Sequence, residues 1–216
     1  RKVFMIKKEG MFMEHKAASP TPGGLVAFAV ACYMFTGVFA GMVPKEGLLL
    51  LGCWLIGGFA VQVIVANKEI DEGEQIGGNV FLFFQGFFML AGGLASIGKF
   101  LCIFVWGVTP NSVVEGFGWL ACTIAIIMWT PCYLRNSNAQ FSTAVIFLDL
   151  ALIGVVLNDF GLLTGDLGAI IKYIVAAFLF ISGSLGLYVA SAIQLNHSFG
   201  RTILPLSKPL LKDTNR

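Results

Sequence analysis

Two carboxylates, Glu115 and Asp149, stand inside long apolar runs. A carboxylate placed in hydrocarbon is costly and marks a functional position by default. Two kinds of chemistry suit it there: relaying a proton, or holding helices together through a hydrogen bond. Glu115 falls within the first turn of its helix, where the helix dipole favours an acid. Asp149 falls about two turns into the next helix. Both are candidates for proton coupling; the rival reading is a dipole-favoured N-terminal acid for Glu115 and a helix-packing hydrogen bond for Asp149. Other reactive side chains form no constellation. His15 and His197 lie in the tails. Cys32, Cys53, Cys102, Cys122 and Cys132 are scattered through apolar stretches without a C-x-x-C pair and read as small buried hydrophobes. No His/Cys/carboxylate group has metal-ligand spacing, and no glycine-rich phosphate loop follows a strand pattern. The sequence therefore predicts no catalytic residue, no metal and no cofactor, and the expected class is not an enzyme.

The elements that must position these carboxylates are membrane helices. Of 216 residues, 57% are hydrophobic and 12% charged, against roughly 25% charged in soluble domains. The 26 glycines and 20 phenylalanines fit close helix approach with bulky apolar filling between. A net charge of +2 gives no reason to expect nucleic acid. Between Lys16 and Lys45 lie 28 uncharged residues, enough to cross a hydrocarbon core of ~30 Å. Ser19, Pro20, Pro22 and Gly24 form a polar, rigid entry to this first helix, because a proline at the first helical position forfeits no hydrogen bond.

The apolar runs predict an all-α polytopic protein with six transmembrane helices, at about 24–43, 47–66, 77–98, 112–134, 141–157 and 169–195. Residues 1–18 and 196–216 are read as tails. The basic start is expected to be a retained tail rather than a signal peptide, since the apolar run after it is too long and no A-x-A site is evident. The stretch 100–106, apolar but short, either extends the third helix or lies in the interface, where Trp106 is at home. Eleven lysines and arginines fall on the side of the two termini against three (Lys45, Lys99, Lys172) on the other, so both termini are expected in the cytoplasm.

Two stretches carry a family resemblance. Ser19-Pro-Thr-Pro-Gly-Gly-Leu-Val-Ala-Phe28 resembles the opening signature of the acetate uptake transporter family, the succinate–acetate permeases. Leu195-Asn-His-Ser-Phe-Gly-Arg-Thr-Ile-Leu-Pro205 is similar to the ending of the same family, with Asn196, Gly200, Arg201, Leu204 and Pro205 in place. Gly57, Gly58 and Ala60 resemble its second helix, and Glu69, Gly73, Gly77 and Phe81 its second-to-third loop, so the resemblance spans about residues 19–206. Departures mark a divergent member. Ser19 and Gly23 replace the signature Asn and Leu, Phe39 an Asn, and Phe84 a Tyr, while Glu115 and Asp149 fall where the family is apolar.

The resemblance implies transport of acetate or another small monocarboxylate across the inner membrane, proton-linked as a symport or passive as a channel, with one narrow pathway per protomer of a homohexamer. It aligns Phe28, Phe84 and Ile146 with the positions that narrow that pathway. Thr36, two turns beyond Phe28, is a candidate hydrogen-bond donor to the carboxylate, and Asn196, Gly200, Arg201 and Pro205 form a structural C-terminal motif. A clamp from Arg201 to Glu69 is one reading of that motif; a positive-inside anchor is the other. Gln85 is expected to point away from the narrowest ring. Two rival functions remain: a channel for a small neutral solute such as urea or a short amide, and a membrane subunit of a larger complex.

Overall fold

The computed structural model describes residues 18–211. Arg1 to Lys16, His15, Lys212 and Arg216, which enter the charge argument and the tail assignments, lie outside the described residues.

Among the described residues, six helices are long and apolar enough to cross a membrane: α1 Thr21–Phe39, α2 Leu48–Asp71, α3 Gln75–Phe104, α4 Val113–Asn136, α5 Ala139–Asp159 and α6 Gly165–Phe199. Pro20 caps α1 and Pro22 sits in its first turn, as the missing N–H of proline allows. A single 3-10 turn, Lys45–Gly47, leads into α2. The side chain of Asn138 caps α5 by accepting from the Phe141 N–H. Helix α6 ends on Gly200 in the left-handed conformation, which glycine adopts without a Cβ penalty.

Helix ends differ from the sequence expectation by a few residues, most at α3. The stretch 100–106 extends α3 to Phe104 and leaves Trp106 just past its end. Lys99, which looked like a terminus, pairs instead with Glu115 of α4. Glu69, expected in the loop, lies in the last turns of α2. Helix α6 runs 35 residues, roughly 52 Å, and so outlasts the hydrocarbon core.

Around the bundle, α1 packs chiefly on α6, α6 on α5, α5 on α4, and α2 on both α3 and α1. Backbones of α2 and α3 cross at Gly52 and Gly93, where a Cβ on Gly52 would come within 2.6 Å of the Gly93 carbonyl oxygen. Aromatic rings bridge α3 to α4, with Phe83 on Trp129 and Phe88 on Trp119. Leu55, Met89, Leu148, Leu152 and Leu179 fill the centre. Trp54, Phe87, Phe117 and Met128 stand outward, as a surface in contact with lipid or a neighbouring subunit requires. With six spans, the first residues of α1 and the last of α6 lie on one face.

The C-terminal motif is a folded strap on that face. Asn196 accepts from the N–H groups of Ile203 and Leu204 and donates to the Leu204 carbonyl. Tyr188 donates to the Pro205 carbonyl at 2.9 Å, and the Gln140 side chain engages Ser207. Leu211 N–H reaches the Leu134 carbonyl at the end of α4. Arg201 is exposed and makes no pair with Glu69, whose carboxylate accepts from Thr21 instead. The clamp reading is thereby corrected.

Candidate functional site

Three helices begin and three end on the face that carries the strap. Between them opens a cavity of about 480 Å³. Its mouth is built from Ser19 and Thr21 at the start of α1, Glu69 and Glu72 at the end of α2, Glu74 before α3, and Asn136 to Asn138 between α4 and α5. Deeper in, the walls turn apolar: Leu25, Val80, Phe81, Val145 and Val189. Phe28, Phe84, Ile126 and Leu148 line the innermost part. Phe28 is about two turns inside α1.

Phe28 and Phe84 meet edge to face, ring centroids 5.9 Å apart, the arrangement the ring quadrupole favours. Both are buried. Beyond them the aromatic cluster continues through Phe88 to Phe35 and Trp119. Phe28 lies over Gly186 of α6, where a Cβ would approach its ring to 3.0 Å. Phe84 opens a π-helical stretch of α3, Phe84–Ala91, a local widening of the helix that recurs at functional sites.

Ile146 does not join the two phenylalanines. It is 37% exposed on the outer side of α5, and Val145 and Leu148 face the cavity in its place. Successive helical residues are turned by about 100°, so an alignment shifted by a residue moves a side chain off the wall. Thr36 is likewise outside the lining. Its hydroxyl donates to the Cys32 carbonyl at 2.8 Å, with the Ala176 carbonyl 3.3 Å away. The donor expected to meet a carboxylate is already engaged with helix backbone.

The mouth motif stands at the cavity rim. Ser19 donates to Thr21 at 2.9 Å and Thr21 to Glu69, and a Cβ on Gly77 would collide with the Glu69 carboxylate. Gly24 lets the Phe81 ring lie against α1, within 2.6 Å of where its Cβ would be. Pro20 and Pro22 shape the helix start and lie outside the lining.

Neither intramembrane carboxylate lines the cavity. Glu115, in the first turn of α4, pairs with Lys99 of α3. Asp149 accepts from Thr130 of α4 at 2.6 Å, leaving its second oxygen without a partner. Gln85 is buried and also outside the lining.

One residue was missed in the sequence. Gln62 of α2 is fully buried, lines the cavity, and has neither its amide nitrogen nor its amide oxygen hydrogen-bonded. A buried, unpaired amide is expensive, which makes Gln62 a candidate binding group on the cavity wall. The legible signal was a lone glutamine amid the apolar residues of α2.

No protein-family profile matches the chain. It is 25% identical over 199 residues to the succinate-acetate/proton symporter SatP of Escherichia coli, covering 89% of this chain and 97% of the relative. An uncharacterized protein of Methanothermobacter thermautotrophicus is 24% identical over 212 residues, covering 94% and 98%. In fold, the chain is similar to the solved structure of the bacterial acetate channel SatP, with a TM-score of 0.70 at 20% identity, covering 89% of this chain and all of that one.

Proposed function

We propose that this chain, a divergent relative of the acetate uptake transporters and a multi-pass membrane protein, carries acetate or another small monocarboxylate across the plasma membrane. The relatives that carry a functional name are a symporter and a channel, which points away from an enzyme. The observation that supports a pathway within the protomer is the cavity itself. A polar mouth narrows to an apolar floor at Phe28 and Phe84, with the unpaired Gln62 amide on its wall. An ion entering so dry a gap must shed water at high cost, so the gap favours small substrates whose methyl group can face the rings. In this reading Gln62 holds the carboxyl group, and Phe28, Phe84, Ile126 and Leu148 set the width. Assembly as a homohexamer, each protomer with its own path, is part of the proposal. Labelled acetate uptake into liposomes containing the protein tests it.

Proton linkage does not run through Asp149 or Glu115 in this account, since both carboxylates are engaged with α4 or α3 partners away from the cavity. Asp149→Asn keeps an acceptor for Thr130 and is expected to leave uptake driven by a pH gradient within about twofold of wild type, while lowering thermal stability by about 1 kcal/mol or less. Loss of gradient-driven accumulation with downhill exchange intact would instead return Asp149 to the coupling path.

A cytoplasmic position for both termini is part of the proposal, supported by the charge asymmetry. A reporter active only outside the cytoplasm, fused after Arg216, is expected to stay silent. A strong signal would reverse the orientation or break the six-span count.

A further inference from the structure

The cavity reaches in from one face and ends on rings. Phe28 and Phe84 close its floor, and behind them Phe88, Phe35 and Trp119 pack ring on ring. A solute passes only when a ring leaves. Phe84 stands where the backbone can turn. It is the first residue of the eight-residue π-helical stretch Phe84–Ala91, whose i→i+5 bonding accommodates an extra residue within the helix. If that extra residue moves about one turn toward the start of α3, the stretch behind it becomes α-helical and rotates by about 100°. Each side chain there then takes the place of the residue before it.

The sequence suits such a slip. Phe83-Phe84 and Phe87-Phe88 are doublets, so Phe84 would enter the place of Phe83, and Phe88 that of Phe87, with no change of side chain. Phe87 would enter the place of Gly86, where nothing lies within 4 Å of a Cβ. Gln85 brings the change of chemistry, because it would replace Phe84 on the floor. Further along, α3 is held by the close crossing of Gly52 and Gly93 and by Lys99 on Glu115, so the rotation stays local.

Gln85 is poorly satisfied where it is. It is buried, outside the cavity lining, and its amide oxygen has no partner. Gly58 faces Met89, and Gly78 faces Ala66 and Ile70, a register that puts Gln62 of α2 level with residues 84–85 of α3. Gln62 is also buried, with both amide atoms unpartnered. Two buried amides at one level, each short of hydrogen bonds, raise the energy of the closed arrangement. An amide both donates and accepts, so Gln85 on the floor can bond Gln62.

We infer that α3 opens the path by this one-residue rotation: Phe84 swings off the cavity floor and Gln85 replaces it, bonded to Gln62. This rests on the monocarboxylate reading above and names the part that moves. The open floor has one ring fewer and a narrower, polar side chain in its place.

The test labels the intact chain in liposomes with a small methanethiosulfonate cation present on both sides. Cys53 and Cys132 are exposed, so labelling is read by mass on the peptide that carries residues 84 and 85. Phe84→Cys should react, since residue 84 lines the cavity. Gln85→Cys is expected to react at no less than about a tenth of that rate, because the rotation exposes it and labelling traps the rotated form. A fixed α3 keeps residue 85 off the cavity, and an unlabelled Gln85→Cys overturns the inference. Gln85→Leu should cut protein-dependent acetate exchange about tenfold or more, with thermal stability kept or raised because an unpartnered oxygen is removed. Gln85→Met is the companion for a case of poor folding. Labelling at residue 85 with exchange unmoved by Gln85→Leu overturns the part of the amide in opening, and a loss of exchange that comes with lost stability in both variants makes Gln85 a packing residue. Wild-type exchange no faster than in empty liposomes overturns the transport reading, and the labelling, which needs no substrate, still decides the rotation.

Discussion

Phe84→Ala is expected to widen the substrate range, with passage of lactate or succinate rising at least about tenfold relative to acetate. The reason is geometric. Phe84 meets Phe28 edge to face and is itself buried, supported by Phe83 and Phe88 at 5.1 Å. Removing its ring opens the floor of the cavity without adding charge or a new polar group. The change also removes core packing, at a cost of roughly 3–5 kcal/mol. Phe84→Leu, which keeps more volume, is the companion for a case of poor folding and should show the same trend to a smaller degree. Phe28→Ala should act in the same direction from the opposite wall. On α5, Leu148→Phe is expected to close the path to acetate, and Ile146→Phe to leave it open, because Leu148 lines the cavity and Ile146 does not. Transport competition between acetate and larger acids reads all of these. An unchanged range in both alanine variants would remove the rings from selectivity.

Gln62→Leu is expected to cut acetate transport by about tenfold or more while leaving the protein at least as stable as wild type. These two effects seldom go together. A core residue lost to mutation usually lowers stability, but Gln62 keeps two buried polar atoms without partners, at a cost of roughly 1–3 kcal/mol. Leucine fills a similar volume and removes that cost. Retained cost at a binding position is what a stability–function trade predicts. Thermal unfolding in detergent and uptake in liposomes together decide the point. A stability loss with unchanged uptake would make Gln62 an ordinary packing residue whose partners are water.

Much of the architecture was legible from the sequence because each span is an apolar run too long for anything but a membrane helix. The boundaries were less so. Lys99 looked like the end of α3, yet its charge is met by Glu115 on the neighbouring helix, so the helix continues to Phe104. Such a pairing depends on tertiary contact and leaves no local mark. Phe28 and Phe84 were legible through the family resemblance, which locates them by motif and helix position. Ile146 came from the same resemblance and faces the wrong way, because at helical pitch a small slip in alignment rotates a side chain from wall to outer surface. Thr36 was read as a free donor, but a threonine inside a helix commonly turns its hydroxyl back to a carbonyl one turn earlier, as it does here to Cys32. Gln62 went unread because attention to charged residues passes over a neutral amide, although in a dry environment an unpaired amide is nearly as informative.

The central claim is that a small carboxylate crosses inside the protomer, past Gln62 and between Phe28 and Phe84. The most direct measurement is labelled acetate entry into liposomes holding the wild-type chain, compared with empty liposomes of the same lipid, with labelled urea as a second tracer and Leu148→Phe as the obstructed variant. The account predicts protein-dependent acetate entry that exceeds urea entry and is lost in Leu148→Phe while that variant stays folded. Acetate entry no faster than in empty liposomes, or entry indifferent to the added ring at the cavity floor, would contradict it.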